Sequence, residues 1–346
     1  MKVISVVGAR PQFVKLAPIA RSAEAMGIEH VIVHTGQHYD ASMSDVFFDD
    51  LRIPAPDVHL GVGSGSHGAQ TGKMLVALEP VFEQHRPDWV LVYGDTNSTL
   101  AAALAAVKLH VPLAHLEAGL RSHNRRMPEE HNRVLTDHAS DLLLAPTEVA
   151  RRHLEGEGLG DRVRVVGDVM VDVCYAVRDR VANGPIAREG YYLSTIHRAE
   201  NTDDPARLRA IIDALGAAPG PVRLLVHPRL RARAEEFGIE LSTGAIRVET
   251  PLGYRDMVEA VMRSRGVITD SGGLQKEAYL LDTPCTTLRT ETEWVETLHD
   301  GWNVLIDRPE DLGAAVSRPL PTAPRRSPYG DGTAGEAAVA ALSGKA

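Results

Sequence analysis

Cysteine is nearly absent: the chain holds only Cys174 and Cys285, far apart in sequence. Two isolated thiols offer neither a disulfide framework nor the paired spacing of a zinc site. They suit a reducing compartment, so the cytoplasm is the expected location. Long apolar runs are missing as well, since no stretch approaches the roughly 18 consecutive apolar residues of a membrane span. The opening MKVISVVGARP reaches Arg10 without a small-residue cleavage site and reads as a first strand, not a signal peptide. Nor is there an excess of basic charge. A formal net charge of -9 argues against a general nucleic-acid binder, which needs a basic face to displace counterions. A few arginines gathered in one place can still hold a single phosphate-bearing ligand.

What is present is the balance of a globular protein, with 44% apolar and 24% charged residues in a chain of 346. At roughly 150 residues per domain this length predicts two domains. Short β-branched runs alternate with longer helical patterns, the signature of parallel α/β architecture. The expected strands are Val3–Val7, His30–His34, Trp89–Tyr93, Pro112–Leu116 and Leu142–Leu144. A second series follows at Tyr192–Ile196, Arg223–Val226, Ile246–Val248, Val267–Thr269 and Thr286–Leu288. Thr71, Met74, Leu75, Leu78, Val81 and Phe82 recur at helical spacing, and Leu100 to Val107 is apolar almost all round, so that helix should be covered on most sides. The turn-prone Asn183-Gly184-Pro185 is the expected linker. The domains are therefore placed at 1–183 and 184–330, with a last helix over 331–346. Two doubly wound sheets would place a ligand cleft at the C-terminal edges of their strands.

Polar residues fall at those strand ends. The first strand runs into Gly8-Ala9-Arg10-Pro11-Gln12 and a helix carrying Lys15; Trp89–Tyr93 runs into Gly94-Asp95; Pro112–Leu116 runs into Glu117-Ala118-Gly119. In a parallel sheet these loops converge on one rim, so Arg10, Lys15, Asp95 and Glu117 can share a site. Any one of them alone could equally be a helix cap or a solvated loop charge. Pro128 followed by Glu129 and Glu130 also suits an ordinary helix N-terminus. In the second series, Val267–Thr269 leads into Asp270-Ser271-Gly272-Gly273 and a helix through Glu277. Glycines after a strand and N–H groups at a helix start form a phosphate cradle, and Glu277 can accept from ribose hydroxyls. His197 follows another strand end. The match to G-x-G-x-x-G over 63–68 is a decoy: it does not follow the first strand, and Glu83, near the required offset for an acid, falls mid-helix.

These pieces resemble the non-hydrolysing UDP-N-acetylglucosamine 2-epimerases. The resembling segments are GARPQFVK (8–15), TGQHYD (35–40), YGDTNST (93–99), HLEAGLRS (115–122), MPEEHNR (127–133), PTE (146–148), HRAEN (197–201), TDSGGLQKEA (269–278) and PYGDG (328–332). The resemblance implies two Rossmann-like domains in a glycosyltransferase-B arrangement, with the active site in the interdomain cleft and the last helix crossing back to the first domain. It implies catalytic roles for Asp95, Glu117, Glu130, His197 and Lys15. Arg10, Ser271, Gly272, Gly273, Glu277 and Arg289 would bind UDP, and Gln37, His38, Gln70 and His227 match parts of an allosteric substrate site. No metal, nicotinamide or other cofactor is expected. The implied partners are a UDP-sugar and a second copy of the chain in a homodimer, with neither nucleic acid nor membrane.

The implied reaction converts UDP-N-acetylglucosamine to UDP-N-acetylmannosamine by eliminating and re-adding UDP through a 2-acetamidoglucal. The chain departs from the common pattern at two places. Ala199 replaces the second arginine of HRRE, and Trp294 stands where RDTTERPE has an arginine. The TEW segment resembles the branch acting on UDP-2,3-diacetamido-2,3-dideoxyglucuronate, whose extra carboxylate Arg121, Arg125 or Arg126 could meet. A hydrolysing relative, a glycosyltransferase of the same fold and a non-enzymatic UDP-sugar sensor are the remaining rivals.

Overall fold

The computed structural model describes residues 1–37, 53–182 and 186–344. His38 and the Asn183-Gly184-Pro185 turn lie outside the described residues, as does the side chain of Arg10. The chain divides into two compact units, Met1–Tyr175 with Ser327–Ala346, and Ala176–Arg326.

In the first unit the strands are β1 (Lys2–Val7), β2 (Glu29–His34), β3 (Val58–His59), β4 (Trp89–Tyr93), β5 (Leu113–Leu116), β6 (Leu142–Ala145) and β7 (Val163–Val165). They form one parallel sheet in the order β3-β2-β1-β4-β5-β6-β7. Its helices are α1 (Arg10–Ala25), α2 (His67–His85), α3 (Asn97–Lys108), α4 (Pro128–Ala139) and α5 (Glu148–Gly156), and α6 (Val169–Val181) contains the division between the units. Pro11 opens α1 and Pro128 opens α4, positions where the missing N–H costs nothing. Thr96 caps α3 by accepting from the Thr99 N–H, a contact worth about 1 kcal/mol. The central strands are apolar on both faces because helices cover both, and Ile4, Val6, Val90, Val92, Met74, Leu78 and Phe82 share one core. In α3 it is the alanines that are buried between α2 and α4, while Leu104 and Val107 are exposed.

The second unit repeats the plan with β8 (Tyr192–Thr195), β9 (Val222–Leu225), β10 (Ile246–Glu249), β11 (Gly266–Thr269), β12 (Cys285–Leu288) and β13 (Asn303–Ile306), ordered β10-β9-β8-β11-β12-β13. Its helices are α7 (Ala199–Thr202), α8 (Pro205–Gly216), α9 (Pro228–Phe237), α10 (Tyr254–Arg263), α11 (Gly272–Leu280) and α12 (Leu312–Val316). Both sheets reverse strand order between their first and fourth strands, the switch point where doubly wound folds hold ligands. The last helix, α13 (Ala334–Leu342), belongs to the first unit and lies against α1. Asp172 caps it by accepting the N–H groups of Ala334 and Gly335, and Gly335 allows the approach: a Cβ there would sit 2.8 Å from Pro18.

Candidate active site

At the switch point of the first sheet, the loops after β1, β4 and β5 meet. Gln12 ties two of them together. Its Oε1 accepts from the N–H groups of Gly8 and Ala9, and its Nε2 donates to the Tyr93 carbonyl and Thr99 Oγ1. One turn along α1, Lys15 forms an ion pair with Glu117, whose side chain is 11% exposed against 13% for Lys15. Burial alone would lower the Lys15 pKa, but Glu117 and Asp95 hold it above the usual lysine value, so it stays a cation. The pair lies over Gly94: a Cβ there would meet Glu117 Oε2 at 3.1 Å and Lys15 Nζ at 3.3 Å.

Glu117 has a φ of 74°, in the left-handed region that a long side chain rarely occupies. Such strain costs about 1–3 kcal/mol and gathers at functional sites. Two N–H groups, from Glu117 and Ala118, donate to the Leu144 carbonyl and hold the turn.

The other two carboxylates share one cation. Arg133 lies 2.7 Å from Asp95 and 2.6 Å from Glu130. Glu130 also accepts from the Ser122 N–H, the Ser122 hydroxyl and the His123 N–H. Although burial opposes its charge, these donors and Arg133 hold its carboxyl below the usual range. A carboxylate so thoroughly bonded is a weak proton acceptor. Asp95 is more open, its side chain 30% exposed, and its Oδ2 engages Arg133.

Behind this rim runs a buried network that the motif reading did not single out. Asp137 in α4 accepts from His115, from Arg121 Nη1 at 2.7 Å and from the Gly119 N–H at 3.1 Å. Arg121 also forms a two-pronged pair with Glu157, at 2.8 Å on each prong. Arg121 is therefore committed inside the unit, which corrects its suggested availability to a substrate carboxylate; Arg125 and Arg126 are exposed. Arg133 was legible in principle, because it follows Glu130 at the i,i+3 spacing that pairs charges on a helix. The allosteric candidates Gln37 and Gln70 are buried and bonded to their own unit. Gln37 Oε1 accepts from Ser98 N–H and Oγ, and Gln70 bridges the Gly63 carbonyl and Asn97.

In the second unit the corresponding switch point joins β8 to β11. Asp270, fully buried, accepts from the N–H groups of His197 and Arg198 and from Asn201 Nδ2, and lies 3.3 Å from His197 Nδ1. The His227 ring is 5.4 Å from that of His197; burial, and His197 itself, push the His227 pKa down. Ser271 caps α11 by accepting from the Leu274 N–H, with Gly272 and Gly273 in the first turn and Glu277 buried one turn on. Glu293 occupies the side of this helix start: a Cβ at Gly272 would lie 2.4 Å from its Oε1. Its other oxygen pairs with Arg289 at 2.9 Å, and Arg198 stands at 4.0 Å. The position expected to carry an arginine holds Trp294, with Lys276 Nζ over its ring at 3.8 Å, a cation–π contact. Among the described residues, no group of three or more His, Cys, Asp or Glu side chains could hold a metal ion.

Three comparisons bear on this arrangement. The family model for UDP-N-acetylglucosamine 2-epimerase matches residues 20–343. A Pseudomonas aeruginosa UDP-2,3-diacetamido-2,3-dideoxy-D-glucuronate 2-epimerase is 49% identical over 90% of both chains. A Methanocaldococcus jannaschii UDP-N-acetylglucosamine 2-epimerase is 41% identical over 99% of both. The crystal structure of the M. jannaschii UDP-GlcNAc 2-epimerase in complex with UDP-GlcNAc and UDP matches with a TM-score of 0.89 at 40% identity, covering 99% of each chain. With carboxylates and cations gathered at one sheet's switch point and a glycine-rich helix start at the other's, the chain belongs to the UDP-N-acetylglucosamine 2-epimerase family and is an isomerase.

Proposed function

We propose that the chain interconverts UDP-N-acetylglucosamine and UDP-N-acetylmannosamine in the cytoplasm by eliminating UDP and adding it back. A base removes the C2 proton while the C1–O bond breaks and its electron pair leaves with the β-phosphate. The products are UDP and a 2-acetamidoglucal with a C1–C2 double bond. The reverse step protonates C2 from the opposite face as the UDP oxygen rejoins C1. Glu117 and Asp95 serve as the two proton-transfer groups. Glu130 orients Arg133 and the turn at Ser122 and His123. Lys15 and Arg10 neutralise developing charge, as does His197, while Ser271, Gly272, Gly273 and Arg289 receive the diphosphate and Glu277 the ribose.

The observation that carries this reading is the Lys15–Glu117 pair, with Glu117 held in a left-handed conformation and the Asp95 charge acting on the same lysine. The test is a proton NMR time course in D2O with EDTA and no added cofactor. Deuterium should enter C2 of both recovered epimers; turnover that retains the C2 hydrogen, or that requires a nicotinamide, overturns the route.

A second reading, the same reaction on the diacetamido-uronate, is favoured by the 49% identity to the P. aeruginosa relative and by Trp294. Against it, the pairing of Arg121 with Asp137 and Glu157 removes one of the three cations considered for the uronate carboxylate. Measured kcat/KM for both sugars decides: a preference of about 10²-fold for the uronate, lost when Arg125 or Arg126 is neutralised, reverses the choice. The homodimer is part of the same proposal. Val76 on α2, Leu104 on α3 and Leu135 on α4 are exposed apolar side chains for it to cover, and light scattering of Leu104→Glu against the parent chain tests it.

A further inference from the structure

The proton chemistry makes no use of a buried ionisable pair behind the site. His115 on β5 and Asp137 on α4 are both 0% exposed, with Nδ1 and Oδ1 2.6 Å apart. The other ring nitrogen, Nε2, lies 2.7 Å from the Gly94 carbonyl. A carbonyl oxygen accepts and cannot donate. Asp137 accepts from the Gly119 N–H and from Arg121 as well as from the ring, and although burial opposes its charge, His115 and Arg121 hold its carboxyl below the usual range. Acceptors therefore face both ring nitrogens, so both must donate and the ring carries two protons. A neutral ring would set a nitrogen lone pair against an oxygen lone pair where no water can intervene.

The contacts made by this pair fall on the loops that carry the reacting carboxylates. Gly94 precedes Asp95 and forms the backbone surface under the Lys15–Glu117 pair. Gly119 ends the turn that begins at Glu117, and its φ of 82° places it so close to α5 that a Cβ would strike the Ala150 carbonyl at 2.4 Å. One ion pair thus reaches the loop after β4 through Nε2–H and the loop after β5 through Asp137 Oδ2. Burying an ion pair brings little stability compared with apolar residues of the same volume, so what it supplies is geometry.

We propose that His115 and Asp137 are positioning residues: a buried imidazolium–carboxylate pair that sets Asp95 and Glu117 at the spacing proton transfer requires. This rests on the elimination reading for what the carboxylates do, but the protonation of the ring does not. With ring-labelled [15N]histidine, the His115 signal at pH 7 should show both nitrogens protonated in the intact enzyme. A neutral tautomer overturns the proposal whatever the reaction proves to be. Asp137→Asn removes the charge and keeps the shape, and should lower kcat by about 10²-fold with KM changed far less, as a small misplacement of catalytic groups does. His115→Gln, which keeps an N–H for the Gly94 carbonyl, should recover part of the rate lost in His115→Ala. A purely structural pair would reduce the folded fraction by circular dichroism and leave kcat per folded molecule intact, which overturns the proposal. If neither variant folds, the ring-nitrogen spectrum of the parent chain decides. Absence of C2 deuteration alongside a doubly protonated ring would count against the elimination reading and not against the pair.

Discussion

Lys15 on α1 closes over Gly94 to reach Glu117 beyond the end of β5, and the glycine's missing side chain is what leaves room for the pair. Gly94 also has a φ of 60°. Gly94→Ala should therefore cost about 1 kcal/mol or more in backbone strain. By displacing the pair it should lower kcat by about 10²-fold. Glu117→Gln keeps the volume and removes the proton acceptor, with an expected fall in kcat of about 10²–10⁴ and little change in KM. Steady-state kinetics on both variants check this, and near-normal turnover of Glu117→Gln would return that residue to a structural role.

Arg133 bridges Asp95 and Glu130 with different nitrogens of one planar group. A lysine keeps the charge but is a single point and cannot span both carboxylates. Arg133→Lys should therefore behave like Arg133→Gln, with kcat lowered by about 10-fold or more. Combining it with Glu130→Gln should add little, since residues acting as one unit are not additive. A double variant whose loss equals the product of the single losses would refute the bridge.

The central strands were legible because strands covered on both faces read as continuous apolar runs. Trp89–Tyr93 is found at the limits expected. The missed strands have a physical explanation. Val58–His59 is only two residues, Val163–Val165 is a short edge strand with a central arginine, and Asn303–Ile306 is an edge strand opening on a polar residue. At the site, motif resemblance brought out Lys15, Asp95, Glu117 and Glu130, which the structure gathers in one unit. His115 and Asp137 were invisible as a pair because their contact crosses from a strand to a helix. Asp137 by itself looks like one more helical charge. The competing reading of Pro128-Glu129-Glu130 as a helix start was correct as structure, and it did not conflict with Glu130 gathering donors from a neighbouring turn.

Arg121 and Asp137 are almost completely buried, with side chains 2% and 0% exposed. Removing the guanidinium strips Asp137 of one of its two buried cationic partners, with His115 remaining, so the cost should approach but not reach the roughly 3–5 kcal/mol of a wholly uncompensated buried charge. Arg121→Met should lower the urea midpoint accordingly, whereas Arg151→Met, breaking an exposed pair with Glu155, should change it by a few tenths at most.

Acid should destabilise the fold in two stages. Burial holds His30 and His34 near a pKa of about 4, His34 with a further push from His59, against an ordinary value of 6.5. Between those values the unfolded chain binds protons that the folded one does not. Stability therefore falls as pH drops through this window, by at most about 1.4 kcal/mol per unit for each histidine. The carboxyls of Glu130 and Asp137 are depressed from 4.5 and 3.8, so their contribution is present above those values and is lost only below them. Urea midpoints across this range should drop first between pH 6.5 and 4, and His30→Asn should remove about half of that fall, leaving the His34 share and the later stage in place.

Cys174 and Cys285 are buried thiols outside any disulfide, and burial pushes the Cys285 thiol up to about 12. Both are closed to reagents by burial, at 0% and 1% exposure, and Cys285 is held protonated at neutral pH. The chain is therefore a silent background for site-specific labelling without prior removal of its own cysteines. Reporter cysteines at Val165 in the first unit and Leu320 in the second, exposed at 40% and 60%, would give a donor–acceptor pair. The distance between the two, read with and without UDP, is then accessible in the otherwise unaltered protein.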